Sequence, residues 1–182
     1  EYLGNTLKKI TNEKLGIIKK DSTVIISKQE KAIENYILTK LKKNKNRKLF
    51  YNKNYKILNI KKNRFSILVN NKKLNFNKPS LLGEHQIENA SLAIIAAYEL
   101  KKIGYKINKN LINQALIKTE WPGRLEKLYL NNIPFFLDGA HNVAGAKQLR
   151  NFLSLDNKKT WIIIGMLNNK DIYHFLKYLK NF

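Results

Sequence analysis

The chain has no cysteine among its 182 residues. That excludes disulfides and a thiolate metal site, and it fits an intracellular, cytoplasmic setting. No apolar run approaches the roughly 20 residues of a membrane-spanning helix, so no membrane partner is expected. The N-terminal stretch is acidic and polar, unlike a signal peptide. Negative charge is scarce: 13 acidic residues stand against 35 basic ones, a formal net charge of +22. Such an excess suggests nucleic acid or an anionic membrane. Yet helix-turn-helix, zinc-finger and RNP motifs are all missing, and only Arg47, Arg64, Arg124 and Arg150 among the basic residues are arginine. Lysine, asparagine and isoleucine are all abundant, as A/T-biased coding produces, and the lysines are spread along the whole chain. We therefore expect no specific nucleic-acid partner. A basic nucleic-acid-binding module is kept as the reading from a different class.

What is present is a hydrophobic fraction of 43%, enough for one large domain or two small ones with real cores. Residues 1–20 read as a helix and its exit, with Leu3, Leu7 and Ile10 on one face and Gly16 at the end. Thr23–Ser27 is a short buried strand by length and β-branching. Gln29–Leu41 is helical, with Ile33, Tyr36, Ile37 and Leu41 as its stripe. The charge run Lys42–Lys48 is a solvated turn. From Lys48 to Phe76 short β-rich runs (LFY, YKILNI, RFSILV, KLNF) alternate with Asn/Lys turns, and Asn70-Asn71 predicts a hairpin. This is a small antiparallel meander. A helix follows with Ala90, Ala93, Ile94, Ala97 and Leu100 on one face and Gly104 near its stop, and then a short helix over Leu111–Ile117.

The stretch Trp121–Asn142, WPGRLEKLYLNNIPFFLDGAHN, organises the remainder. Trp121-Pro122-Gly123 breaks the helical pattern, so a domain boundary is placed between residues 120 and 121. Leu128–Leu130 and Ile133–Leu137 are strand-like, with Asn131-Asn132 as the turn. Asp138-Gly-Ala-His-Asn142 follows directly. A helix then begins, with Ala144, Leu149, Phe152 and Leu153 on its apolar side. Open α/β sheets bind ligands at the carboxyl ends of their strands, where Asp138 would lie. Trp161–Gly165 reads as a further strand, and a final helix runs through Phe175 and Leu179.

These residues also carry a resemblance. WPGRLE followed by LDGAHN resembles the folylpolyglutamate synthase and dihydrofolate synthase family, within the Mur ligase superfamily. EYLGNTLKKITNEKLGIIKK at Glu1–Lys20, LLGEHQIENASLAIIAA at Leu81–Ala97 and WIIIGMLNNKD at Trp161–Asp171 are similar to further family segments, in the same order. The last departs from the family in having Asn169 where Asp is usual. The resemblance implies an α/β fold. Residues 1–120 would be the later part of a P-loop-type central ATPase domain containing the meander, and residues 121–182 the first part of a Rossmann-like C-terminal domain. None of the eight glycines precedes a lysine, so the phosphate loop is not in this stretch. The chain is therefore expected to be an internal piece, and inactive by itself.

The implied reaction is ATP-dependent ligation of L-glutamate to a folate or dihydropteroate carboxylate through an acyl phosphate, with Mg²⁺ as companion ion. The enzyme is expected to be monomeric. Another Mur-type amino-acid ligase is the nearest alternative. Arg124 is the candidate phosphate contact, because a guanidinium is always charged and offers forked donors; the plain alternative is a surface pair with Glu126. Asp138 would accept hydrogen bonds from ribose hydroxyls, or else cap a helix starting near Ala140. His141 is the second catalytic candidate, near the phosphates in the family, and a polar loop histidine otherwise. Asn142 is read as a structural loop residue. Asn89 matches an adenine-binding asparagine, with an amide suited to a base edge; the alternative is a polar residue of the helix's first turns. His85 and Gln86 would line the same site. Lys14, beside Glu13, matches a lysine carried as a carbamate that helps hold a second Mg²⁺, which calls for partial burial. Without the resemblance it would be one lysine among many. The other metal ligands would lie upstream.

Overall fold

The computed structural model describes residues 4, 6–155 and 159–180. Helix α1 (Leu7–Leu15) starts at Thr6, whose hydroxyl accepts the Lys9 N–H at 3.2 Å. It ends at Gly16, whose N–H reaches the carbonyls of Asn12 and Glu13. Leu7 is exposed and Thr11 is the buried residue of this helix, so the expected apolar face is only partly used; Leu3 lies outside the described residues. Strand β1 (Thr23–Ile26) and helix α2 (Lys31–Lys40) follow. Ile33 and Ile37 of α2 and Leu41 beyond it are buried in one core with Ile26 and Phe50. Tyr36, expected in the same stripe, is half-buried, its hydroxyl donating to Asn12 Oδ1 at 2.9 Å.

Strand β2 (Arg47–Phe50) pairs in parallel with β1, Thr23 opposite Arg47 and Ile26 opposite Phe50. The LFY run therefore does not belong to the meander, as its β-rich neighbours suggested. Leu49 and Phe50 are consecutive and both buried, so β2 is covered on two faces, as parallel strands are. The meander itself is β3 (Tyr55–Ile60), β4 (Arg64–Val69) and β5 (Lys72–Asn77), antiparallel in that order. Phe65, Ile67 and Phe76 are sealed inside, and Phe65 faces Phe76 across the ladder with ring centroids 6.1 Å apart. Asn70 and Asn71 take φ of 47° and 62°, the left-handed pair of a type I′ turn.

Helix α3 (His85–Lys102) buries Ile87, Ser91, Ile94 and Ile95 beside Ala90. Ala93 and Leu100, expected on the apolar face, are exposed. The true stripe runs through Ser91, which a search for apolar residues passes over. Its hydroxyl is satisfied within the helix by the Glu88 carbonyl at 2.7 Å. Gly104 ends the segment with φ of 102°, and α4 (Lys109–Lys118) follows.

The chain divides into two compact units. One comprises Glu1–Asn77 and Glu88–Asn113, the other Lys78–Ile87 and Gln114–Phe182. The second unit holds the antiparallel pair β6 (Glu126–Leu130) and β7 (Ile133–Leu137), α5 (Val143–Leu153) and α6 (Ile172–Lys177). Its core is Ala146, Phe175 and Leu179, flanked by Leu149, Leu153, Ile162, Ile164 and Met166. Ala144, expected on the apolar side of α5, is exposed. The expected strand Trp161–Gly165 makes no ladder among the described residues. Its side chains still alternate from exposed Trp161 to half-buried Ile162 and onward through Met166, the period of a strand without a hydrogen-bonded neighbour. The described residues thus form a mixed α/β structure with three small sheets. No described helix is long and apolar enough to cross a membrane.

The β4–β5 turn yields a test. Asn71→Gly relieves the left-handed backbone and should leave stability equal or raised, whereas Asn71→Val should cost about 1–2 kcal/mol. Urea denaturation of the two variants checks the order. Equal midpoints would mean that the turn is not held in the left-handed region.

Candidate functional site

The second unit is shaped by two backbone segments that bind each other. In the first, the Arg124 N–H closes a turn onto the Trp121 carbonyl at 3.3 Å. Gly123 has φ of 70°, and Leu125 follows in the left-handed region at 48° with its side chain buried. Such a backbone is costly for leucine and must be held from outside. The second segment, just after β7, supplies the hold. Asp138 Oδ2 accepts the Leu125 N–H at 2.9 Å, Oδ1 accepts the Ala140 N–H at 2.9 Å, and the Gly139 N–H donates to the Gly123 carbonyl at 2.7 Å. Glu126 Oε2 accepts the Gly123 N–H at 2.8 Å. Glu126 and Arg124 make no ion pair, so the surface-pair reading of Arg124 is not what the structure shows.

Asp138 directly follows the carboxyl end of β7, as expected, and is half-buried. The strand is not parallel to a neighbour: its pairing is antiparallel, to β6. Asn131 and Asn132, with φ of 47° and 64°, fold the chain straight back. Asp138 is also not the helix cap. Asn142 is, its side-chain oxygen accepting the Gly145 N–H at 2.9 Å ahead of α5. An Asn immediately before a helical run is the ordinary signal for that cap. Gly145 is needed for space, since a Cβ there would lie 2.9 Å from the Ala140 Cβ.

A cavity of about 230 Å³ opens at this loop. It is lined by Arg124, Asp138, His141, Asn142, Gly145, Gln148 and, from the start of α3, His85. Arg124 is exposed, and its guanidinium has no hydrogen bond or ion pair among the described residues. His141 is exposed, with Nδ1 2.9 Å from the Gly139 carbonyl. A carbonyl only accepts, so Nδ1 carries the proton and Nε2 of the neutral ring is left as an acceptor. His85 Nδ1 is buried with no partner among the described residues. A Cβ on Gly83, whose φ is 100°, would come within 2.6 Å of the His85 ring. Gln148 was not expected here; four residues beyond Ala144, it shares that face of α5.

Gln86 is buried. Asn89 is exposed in the second turn of α3 and belongs to the other compact unit, as does Lys14. Lys14 and Glu13 are both exposed at the end of α1, so the partial burial expected of a carbamate lysine is absent. No group of three or more His, Asp or Glu among the described residues could hold a metal ion.

Comparison with known proteins bears on this geometry. Residues 123–181 match the family model described as dihydrofolate synthetase, C-terminal domain. The dihydrofolate synthase/folylpolyglutamate synthase of Bacillus subtilis is 29% identical over 98% of this chain and 43% of its own length. A solved FPGS–AMPPCP–folate complex superposes with a TM-score of 0.85 at 26% identity, covering 98% of this chain and 45% of that one. The folylpolyglutamate synthase of Thermotoga maritima gives a TM-score of 0.76 at 26% identity, covering 97% and 42%. The chain thus spans somewhat less than half the length of these relatives.

The Asp138 bridge can be broken on its own. Asp138→Ala strands two backbone N–H groups and should destabilise the second unit by roughly 2–4 kcal/mol, while Asp138→Asn keeps one acceptor and should lose about half as much. Thermal melts, with amide exchange read at Leu125 and Ala140, measure both. An Ala variant that melts and exchanges like the parent would show that the bridge does not hold the loop.

Proposed function

This chain belongs to the folylpolyglutamate synthase and dihydrofolate synthase family, and we propose that its whole protein is an ATP-dependent ligase adding L-glutamate to a folate or dihydropteroate carboxylate. The carboxylate takes the γ-phosphoryl group of ATP and ADP leaves. The glutamate amino group then attacks the acyl phosphate, phosphate leaves, and an amide remains. The observation that carries the reading is the cavity at the Asp138–Asn142 loop, where Arg124 and the His141 Nε2 stand uncommitted beside a carboxylate already anchored. The AMPPCP in the FPGS complex is an ATP analogue, which supports ATP as co-substrate.

In this reading Arg124 contacts a phosphoryl group, where forked donors meet charge that grows in the transition state. Asp138 has two acceptor sites left after binding Leu125 and Ala140, and offers them to ribose hydroxyls. His141 accepts or passes a proton at Nε2 near the phosphates. Asn89 holds the adenine edge. Lys14 as a carbamate belongs to the same reading, with its exposure against it. Mg²⁺ accompanies ATP as its companion ion. Residues 1–120 are assigned to the P-loop-type central domain and 121–182 to the Rossmann-like C-terminal domain. A monomeric, cytoplasmic enzyme completes the proposal. Another Mur-type amino-acid ligase would use the same chemistry with a different acceptor.

The full-length protein should form the amide from ATP, L-glutamate and either dihydropteroate or tetrahydrofolate. Activity with neither acceptor, but with another carboxylate, would move the assignment to another Mur-type ligase. Arg124→Lys keeps the charge and loses the fork, so kcat should fall about 10²–10³-fold, more than ATP affinity does. The thermal melt should stay within about ±0.5 kcal/mol of the parent, because Arg124 holds nothing else. An unchanged kcat would remove Arg124 from the mechanism.

A further inference from the structure

The first compact unit contains a cavity of about 300 Å³ that the proposed ligase chemistry does not use. That is the lower end of the range for small-molecule sites, about 300–1,000 Å³. Its walls are apolar, from Leu49 of β2, Leu74 of β5 and Ile95 of α3. Polar groups stand around this wall, and the Glu99 and Asn54 acceptors among them are engaged by the protein's own donors. Glu99 Oε2 takes the Arg47 Nε–H at 2.8 Å, and Oε1 takes the Lys102 ammonium. Asn54 Oδ1 accepts the Phe50 N–H at 2.8 Å. Three donors in the lining have no bond of their own among the described residues: the Asn54 amide hydrogens, the Tyr98 hydroxyl and the Lys72 ammonium. Burial raises the Tyr98 pKa, which keeps that hydroxyl a donor. Burial also works to raise the Glu99 pKa, but hydrogen bonds from Lys102 and Arg47 outweigh it, so Glu99 stays ionised and holds those two cations. Three cations against one carboxylate leave the lining net positive.

We propose that this cavity binds a small amphipathic organic anion, its apolar body against Leu49, Leu74 and Ile95 and its carboxylate met by Lys72, Tyr98 and the Asn54 amide. An uncharged ligand of the same shape gains the apolar wall but leaves the donors unanswered, so the site selects for charge. The inference is independent of the ligase reading, because every residue it uses lies outside the unit that holds the Asp138 loop.

The test is heteronuclear NMR titration of the full chain with 2-naphthoate and with uncharged 2-naphthamide. Saturable shifts should appear at the amides of Leu74, Ile95 and Tyr98, with naphthoate bound about tenfold more tightly, a difference of about 1.4 kcal/mol. Lys72 is exposed at the start of β5, so Lys72→Glu should leave the spectrum intact, weaken naphthoate about tenfold, and leave naphthamide unchanged. Lys72→Gln should fall between, and serves alone if the Glu variant loses its native spectrum. Absence of saturable shifts at these amides overturns the proposal, as do equal affinities for the two probes or no response to either Lys72 substitution.

Discussion

The carboxylate of Asp138 is the constraint on which the second unit turns. Its two oxygens reach backward to Leu125 and forward to Ala140, joining the turn before β6 to the loop after β7. Leu125 could not keep its left-handed backbone without that anchor, because the conformation costs a non-glycine residue about 1–2 kcal/mol. The β6–β7 hairpin lies between the two tied points, so its length and register fix how far apart Leu125 and Asp138 can be. Small residues then follow of necessity. Gly139 approaches the Gly123 carbonyl, and Gly145 gives room to Ala140. The motif is thus, in the first place, a packing solution.

Carboxylates are scarce in this chain, and the structure spends them carefully. Glu99 holds Arg47 and Lys102, while Glu34 pairs with Lys53 at 2.9 Å and Lys31 at 3.9 Å. Glu34 is drawn below the ordinary carboxylate range chiefly by the hydrogen bond from Lys53. Asp171 caps α6 through the His174 N–H at 3.1 Å and meets the same residue's ring at 2.6 Å. Its pKa is lowered first by that backbone hydrogen bond. Such exposed pairs each contribute little, typically about 0–1 kcal/mol. Their effect is positional: they decide which few cations are held, and leave the rest of the positive charge solvated.

Local chemistry was legible wherever one residue type forces one conformation. The two Asn-Asn turns and Gly104 at its stop could be read from sequence, because αL turns admit few side chains, whereas the cap of α5 was weighed for Asp138 and is Asn142. Pairing between distant segments was not legible. LFY and YKILNI look alike as strings, yet β2 joins β1 across α2 while β3 joins β4. What separates them is coverage on both faces, which depends on what packs from elsewhere. The α3 stripe was right at Ala90 and Ile94 and wrong at Ala93 and Leu100 for a related reason: Ser91 satisfies itself inside the helix and so tolerates burial. The Trp161 run has the period of a strand, but a period cannot supply a partner.

The candidate site divides on the same line between committed and uncommitted groups. Asp138 was singled out as a ligand for ribose, with a helix cap as its rival; the cap falls to Asn142, and the contacts Asp138 makes among the described residues anchor backbone. These functions do not compete for the same lone pairs. A carboxylate has about four acceptor directions, and two N–H donors leave two. Anchoring also removes the entropy that a free carboxylate would lose on binding a ligand. His141 is oriented in the same way, since a proton fixed at Nδ1 by the Gly139 carbonyl sets which nitrogen remains available. Arg124 has no side-chain hydrogen bond or ion pair among the described residues. Its backbone is fixed by the turn to Trp121 while its guanidinium stays unpaired, so a phosphoryl oxygen would displace no protein contact to reach it.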